Sequence, residues 1–96
     1  MLTYEKFSTI PVKVRVLYVK KLLNTLGFDL TESFIEDKHY KKALKKFQAT
    51  NGFGENCVVS KDVFYCLINQ VKEHEVIWKN LKWGETIWIN ILIIQN

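Results

Sequence analysis

The sequence predicts a mainly α fold, with three amphipathic helices in residues 1–72 and a C-terminal β-strand or hairpin in residues 73–96. Three observations predict it. Apolar residues recur at steps of three and four in three separate stretches, the spacing of one helix face. Two of those stretches end alike, in Leu26-Gly27-Phe28 and Asn51-Gly52-Phe53, as a duplicated helix–loop unit would. The run Thr86-Ile87-Trp88-Ile89-Asn90-Ile91-Leu92-Ile93-Ile94 is dense in β-branched residues, which favour strands.

Length and composition bound the rest. Ninety-six residues suit one domain with a small core, and 48% hydrophobic against 25% charged residues argues for a globular chain over a disordered one. The net charge of +4 is modest. Lys41, Lys42, Lys45 and Lys46 read as the solvated face of a helix, which argues against nucleic acid as the partner. Cys57 falls in a predicted loop and Cys66 on the apolar side of a predicted helix. A bridge needs Cα atoms within about 7 Å, so two free thiols are expected.

Residues 1–11 read as a lead-in arm whose Tyr4, Phe7 and Ile10 lay an apolar edge on the domain. Ser8 or Thr9 is the expected cap of the first helix, with Pro11 at its first position, where the missing N–H is harmless. That helix spans about residues 11–26. Val12, Val16, Val19, Leu23 and Leu26 form its seam, Leu22 lies beside it, and Lys13, Arg15, Lys20 and Lys21 lie mostly off it. Gly27 ends the helix. In the connection that follows, Phe34 and Ile35 are expected to plug the core. Asp37 caps a second helix over about 38–51, with Tyr40, Ala43, Leu44 and Phe47 as its stripe. Gly52 closes it, since glycine enters the left-handed cap conformation without a steric clash. Ser60 caps a third helix over about 61–72, striped by Val63, Phe64, Leu67, Ile68 and Val71.

Residues 14–70 resemble the peptidoglycan-binding domain family, small three-helix modules that bind the cell wall. The family's second helix runs Ala-Val-x-x-Phe-Gln-x-x-x-Gly-Leu, and Ala43, Leu44, Phe47, Gln48, Gly52 and Phe53 occupy those positions. Val16, Val19, Leu23 and Leu26-Gly27-Phe28 fit its first helix, with Lys20 where the family has Gln. The later pattern Asp-Gly-x-Val-Gly-x-x-Thr-x-x-Ala-Leu meets Asn56, Cys57, Val59, Ser60, Val63, Cys66 and Leu67, with Cys57 and Val63 as departures. The resemblance implies a peptidoglycan-binding-like fold. It also implies a shallow groove beside the second helix and the loop into the third, holding Lys20, Gln48, Asn51, Phe53, Asn56 and Ser60. There Gln48 would pair with a peptide amide of peptidoglycan or its stem peptide, Phe53 would give an apolar floor, and Lys20 would meet a carboxylate. The competing roles are structural: Gln48 bonding the loop backbone, and Phe53 packing under the cap.

Beyond residue 72, residues 76–82 and 86–94 could pair as a hairpin around Gly84. The apolar run 86–94 falls well short of the roughly 20 residues a membrane helix needs. Ile87, Ile89, Ile91 and Ile93 share one face of a strand, and Trp88, Leu92 and Ile94 share the other with Asn90. Two apolar faces imply a partner protein or a second copy, with Trp83, Ile87, Trp88, Ile89, Ile91, Leu92 and Ile93 as the partner-binding residues.

Catalysis finds little support in the sequence: a Cys57/His39 thiol–base pair is conceivable, but nothing supplies an orienting third group. There is no nucleophile elbow, no Gly-rich phosphate loop and no metal-ligand spacing, and His39 and His74 are each isolated. No cofactor is expected. The first expectation is therefore a non-catalytic wall-binding module. The alternative is a small structural subunit of a phage tail, baseplate or secretion-type assembly that reuses the fold for protein contacts. No signal peptide is visible, so the expected origin is cytoplasmic synthesis followed by assembly into a phage particle or envelope machine.

Overall fold

The computed structural model describes residues 2–80, with side chains through residue 74. Helix begins at once. Thr3 Oγ1 accepts from the Lys6 N–H at 3.3 Å and caps α1 (Tyr4–Thr9). The lead-in arm is therefore a short helix, and packing explains why. Phe7 is buried with its ring centroid 4.7 Å from that of Phe64, Tyr4 meets Phe64 edge-on at 5.8 Å, and the Tyr4 N–H donates to Tyr65 Oη at 3.2 Å. Ser8 and Thr9 do not cap the next helix. Their hydroxyls donate back to the Glu5 and Lys6 carbonyls at 2.8 and 2.7 Å, and Pro11 itself occupies the cap position of α2 (Val12–Thr25).

The buried face of α2 holds Val16, Tyr18, Val19, Lys20, Leu22 and Leu23. Three positions depart from the expected seam: Val12, in the first turn, is 59% exposed, while Tyr18 and Lys20 are buried. The helix ends in a double hydrogen-bonded cap, the Gly27 N–H donating to Asn24 O at 3.1 Å and the Phe28 N–H to Leu23 O at 3.2 Å. α3 (Lys38–Thr50) ends the same way, Gly52 to Ala49 at 3.3 Å and Phe53 to Gln48 at 2.8 Å. Gly27 has φ +105° and Gly52 φ +80°, the left-handed conformation this cap requires. The repeat read in the sequence is thus a repeat of helix caps.

Phe34 and Ile35 do not plug the core: they are 52% and 67% exposed. Leu30 takes that place. The Asn24 side chain holds it from both sides, accepting from the Leu30 N–H at 2.8 Å and donating to its carbonyl at 2.9 Å. With Leu30 fixed inward, the core needs no second plug from this connection.

Asp37 Oδ1 accepts from the Tyr40 N–H at 2.9 Å and caps α3, which buries Tyr40, Ala43, Leu44, Phe47 and Gln48. Ser60 Oγ accepts from the Val63 N–H at 3.3 Å at the start of α4 (Lys61–Asn80). The third predicted helix therefore continues past residue 72. No Gly or Pro interrupts 72–80, so residues 76–80, expected in the first arm of a hairpin, are helical. Residues 81–96, including the expected strand and Trp83, Ile87, Trp88, Ile89, Ile91, Leu92 and Ile93, lie outside the described residues. Among the described residues there is no strand, and no helix is long and apolar enough to cross a membrane.

α2 packs against both α3 and α4, and α1 lies on α4. Val19, Leu23, Leu44, Phe64, Leu67 and Val71 are almost fully enclosed where these helices meet. Tyr18 joins them, but its hydroxyl is buried with no hydrogen-bond partner among the described residues. An unmet buried hydroxyl costs about 1–3 kcal/mol. Tyr18→Phe is therefore expected to raise the unfolding free energy by about 1 kcal/mol, read by urea denaturation at neutral pH; a loss of stability would mean that the hydroxyl is satisfied. Burial also pushes the Tyr18 phenol from its ordinary 10 up to about 12. The raised value means that the folded state keeps a proton the unfolded chain releases. This stabilisation is complete below pH 10 and declines as pH rises toward 12, and Tyr18→Phe should soften that decline. Tyr40, also raised by burial, should leave part of it in place.

Candidate ligand-binding site

The loop from α3 into α4 is built around one buried amide. Gln48 is fully enclosed. Its Oε1 accepts from the Cys57 N–H at 3.1 Å, and its Nε2 donates to Asn56 Oδ1 at 3.0 Å and to Val58 O at 3.1 Å. Asn56 Oδ1 also accepts from the Val58 N–H at 2.9 Å. Three consecutive loop residues are thereby tied to one side chain of α3. Within this network Cys57 adopts φ +58°, the only positive φ at a non-glycine residue among the described residues. A side chain in this conformation places Cβ against the backbone, which glycine avoids.

The first connection is held in a similar way by a charge. Lys20 Nζ donates to Ser33 Oγ at 3.0 Å and to Asp37 Oδ2 at 3.1 Å, and lies 5.9 Å from the centre of the Tyr40 ring. Asp37 is partly open to solvent. The Tyr40 N–H, and after it the Lys20 ammonium, hold the Asp37 carboxyl below its ordinary range.

A cleft of about 250 Å³ opens beside Tyr40 and the loop into α4. Tyr4, Phe7, Val16 and Val19 give it apolar and aromatic walls, and Arg15, Glu36, Tyr40, Cys57 and Val58 bring polar groups or backbone to it. Arg15 lies 6.0 Å from the centre of the Phe7 ring, and its Nε is buried without a hydrogen-bond partner among the described residues. No ion pair joins Arg15 to Glu36 among the described residues. The cleft thus presents a guanidinium and a carboxylate that do not neutralise each other. Val12, Val16 and Glu36 also border a second hollow, edged by the exposed Phe34 and Ile35.

Of the residues expected to bind ligand, Gln48 and Asn56 are brought together, and they stand behind the cleft as the support of its loop. Asn56 is exposed, and its NH2 has no hydrogen-bond partner among the described residues. Asn51 donates to Phe47 O at 2.8 Å and accepts from Gln70 Nε2 at 2.6 Å. Phe53 packs against the core as the cap residue after Gly52, and Ser60 is the cap of α4. Lys20 lies near the other end of α3, roughly 16 Å from Gln48 along the helix axis. None of these six lines the 250 Å³ cleft. Arg15, Glu36 and Tyr40 were missed because packing, not spacing, brings them to it. Cys57 carried a signal, since it stands where the resembled pattern has Gly. Both cysteines are free thiols, and no group of three or more His, Cys, Asp or Glu could hold a metal among the described residues.

Compared with known proteins, the chain matches no family model, no curated protein and no solved structure.

Two sets of variants test this construction. Gln48→Ala leaves the Cys57 N–H and the Val58 carbonyl without their partner, and is expected to destabilise the fold by about 2–4 kcal/mol. Cys57→Gly should be tolerated or stabilising, whereas Cys57→Val should cost about 1–2 kcal/mol, because a β-branched side chain fits a left-handed backbone poorly. Equal denaturation midpoints for the Gly and Val variants would exclude strain at this position. At the other loop, Asp37→Ala should lower the denaturation midpoint more than Lys20→Met. The first leaves a buried ammonium without its carboxylate, and the second replaces a buried charge by an apolar chain of similar length; the reverse order would show that the pair is not what holds Lys20. Because the Asp37 carboxyl is depressed from 3.8, its contribution is present above that pH and is lost as pH falls below it.

Proposed function

We propose that this chain is a non-catalytic peptidoglycan-binding module that holds a piece of wall stem peptide in the cleft between α2, Tyr40 and the loop into α4. One observation carries the reading. Cys57 occupies the place where the resembled pattern has the Gly of Asp-Gly, and its φ of +58° is the conformation a glycine there would supply. Gln48, from the Phe47-Gln48 pair of the same pattern, bonds that turn at Cys57. Pattern and geometry therefore agree at the residue where the sequence departs from the pattern.

The chemistry of the cleft supports the same reading. Stem peptides carry carboxylates, ammonium groups and amides. Arg15 offers a cation and Glu36 an anion, and the backbone of Cys57 and Val58 borders the same space. The volume of about 250 Å³ is just below the usual 300–1,000 Å³ of drug-sized sites, which suits one or two peptide residues better than a whole disaccharide. In this role Gln48 positions the loop, and Arg15 and Tyr40 make the contacts.

A second reading has its own observation. Val12, Phe34, Ile35 and Val58 are each more than half exposed, and the first three edge one hollow. Exposed apolar residues grouped in this way mark protein contacts. They favour a structural subunit of a phage tail, baseplate or secretion-type assembly.

Sedimentation with insoluble sacculi, beside a size measurement, separates the two. The wall-binding reading expects a monomer that pellets with sacculi, an Arg15→Gln variant weakened about tenfold, and a Phe34→Ser variant unchanged; a tenfold loss is worth about 1.4 kcal/mol. A chain that ignores sacculi and self-associates through the Phe34 patch would sink the wall-binding reading and leave the structural subunit.

A further inference from the structure

α3 carries a charged surface that the cleft does not use. Lys38, Lys41, Lys42, Lys45 and Lys46 are all exposed, and no acidic residue lies between Lys38 and Thr50. None of the five forms an ion pair or a side-chain hydrogen bond among the described residues, where the paired lysines are Lys20, Lys21 and Lys61. They stand three or four residues apart, so their ammonium groups are neighbours along roughly 12 Å of helix. Like charges at that spacing destabilise a helix, and nothing within this one offsets the repulsion. The fold gains nothing from the arrangement, but a polyanion laid along it would.

We infer that the exposed face of α3 binds a phosphodiester polymer attached to the wall, next to the peptide held in the cleft. This inference rests on the wall-binding reading. Two observations favour a wall polymer over nucleic acid. The ridge has lysine but no arginine, so it can neutralise phosphates without the planar fork that grips base edges, and its one exposed ring, the His39 imidazole, stands at the end of α3 instead of between the lysines at 41–46. The same helix supplies Tyr40 to the cleft, so one helix meets both components of a decorated wall.

Binding that neutralises phosphates releases counterions, and the logarithm of affinity falls with the logarithm of salt by roughly 0.7 per phosphate on a flexible single chain. Five contacts predict a slope of roughly −3.5. The test uses the whole chain, sacculi with their phosphodiester polymer intact or chemically stripped, isolated poly(glycerol phosphate), and a DNA duplex. The ridge variant carries Lys41→Gln, Lys42→Gln and Lys45→Gln. A control variant of equal charge carries Lys6→Gln, Lys61→Gln and Lys72→Gln. Glutamine keeps helix propensity, and the helical signal of each variant is checked first.

On intact sacculi the ridge variant should lose about 2 from the salt slope and bind at least tenfold more weakly at low salt, while the control follows the native chain. On stripped sacculi all three should bind alike. Ridge-dependent binding to poly(glycerol phosphate) without any binding to stripped sacculi would support the ridge and refute the cleft reading. Equal losses in ridge and control variants would reduce the effect to net charge and overturn the inference. Tighter binding to the duplex than to poly(glycerol phosphate) would overturn the wall polymer as the ligand.

Discussion

The second loop depends on a single buried amide. A ten-residue connection such as 51–60 leaves many backbone N–H and C=O groups to satisfy, and neither helix can reach them through its own ladder. Gln48 projects from the last turns of α3 and supplies both an acceptor and a donor to the middle of that connection. Asn56 then closes the ring by accepting from Gln48 and from the Val58 N–H. Removing the amide would leave the partly buried Cys57 N–H and Val58 carbonyl without their partner, which is why its loss is costly. The left-handed backbone at Cys57 persists because this network over-determines it.

The first loop solves the same problem with different chemistry. Asn24 brackets Leu30 through its N–H and its carbonyl, and Lys20 gathers Ser33 and Asp37. A buried ammonium is tolerated because a carboxylate, a hydroxyl and an aromatic face surround it. The carboxylate has two tasks. One Asp37 oxygen caps α3 and the other meets Lys20, so the start of α3 and its contact with α2 are fixed together. Loop placement and helix start are one constraint, and the position of Tyr40 at the cleft follows from it.

Much of the helical framework was legible in the sequence because its signals are local. The stripe through Tyr40, Ala43, Leu44 and Phe47, the glycines at 27 and 52, and the caps at Asp37 and Ser60 each act within one helix or its ends. What was not legible depends on distant residues. Lys20 reads as a flanking lysine until Asp37, seventeen positions later, is known to face it. Phe34 and Ile35 read as core by hydropathy, and only the bracket from Asn24 to Leu30 shows that the core is already closed there. The extra length of α4 was obscured because the β-rich run at 86–94 drew residues 76–82 into a hairpin, although no breaker stands before Asn80. The cleft is the extreme case: its lining comes from α1, α2, the end of the first loop, the start of α3 and the second loop, and no single stretch announces it.

The clamp also bears on binding. A loop that must be ordered by its ligand pays for that ordering in affinity. Here the turn at 56–58 is already held by Gln48, and the near side of the cleft by Asp37 and Lys20, so any ligand of the cleft would meet a formed surface. Arg15 is set into that surface with one nitrogen already out of water and without a partner among the described residues. Part of the desolvation that an anion would otherwise impose on the guanidinium has therefore occurred during folding. A preformed cleft of this size can hold a small, polar ligand with few contacts, and the long-range attraction of the α3 lysines would act before those contacts form.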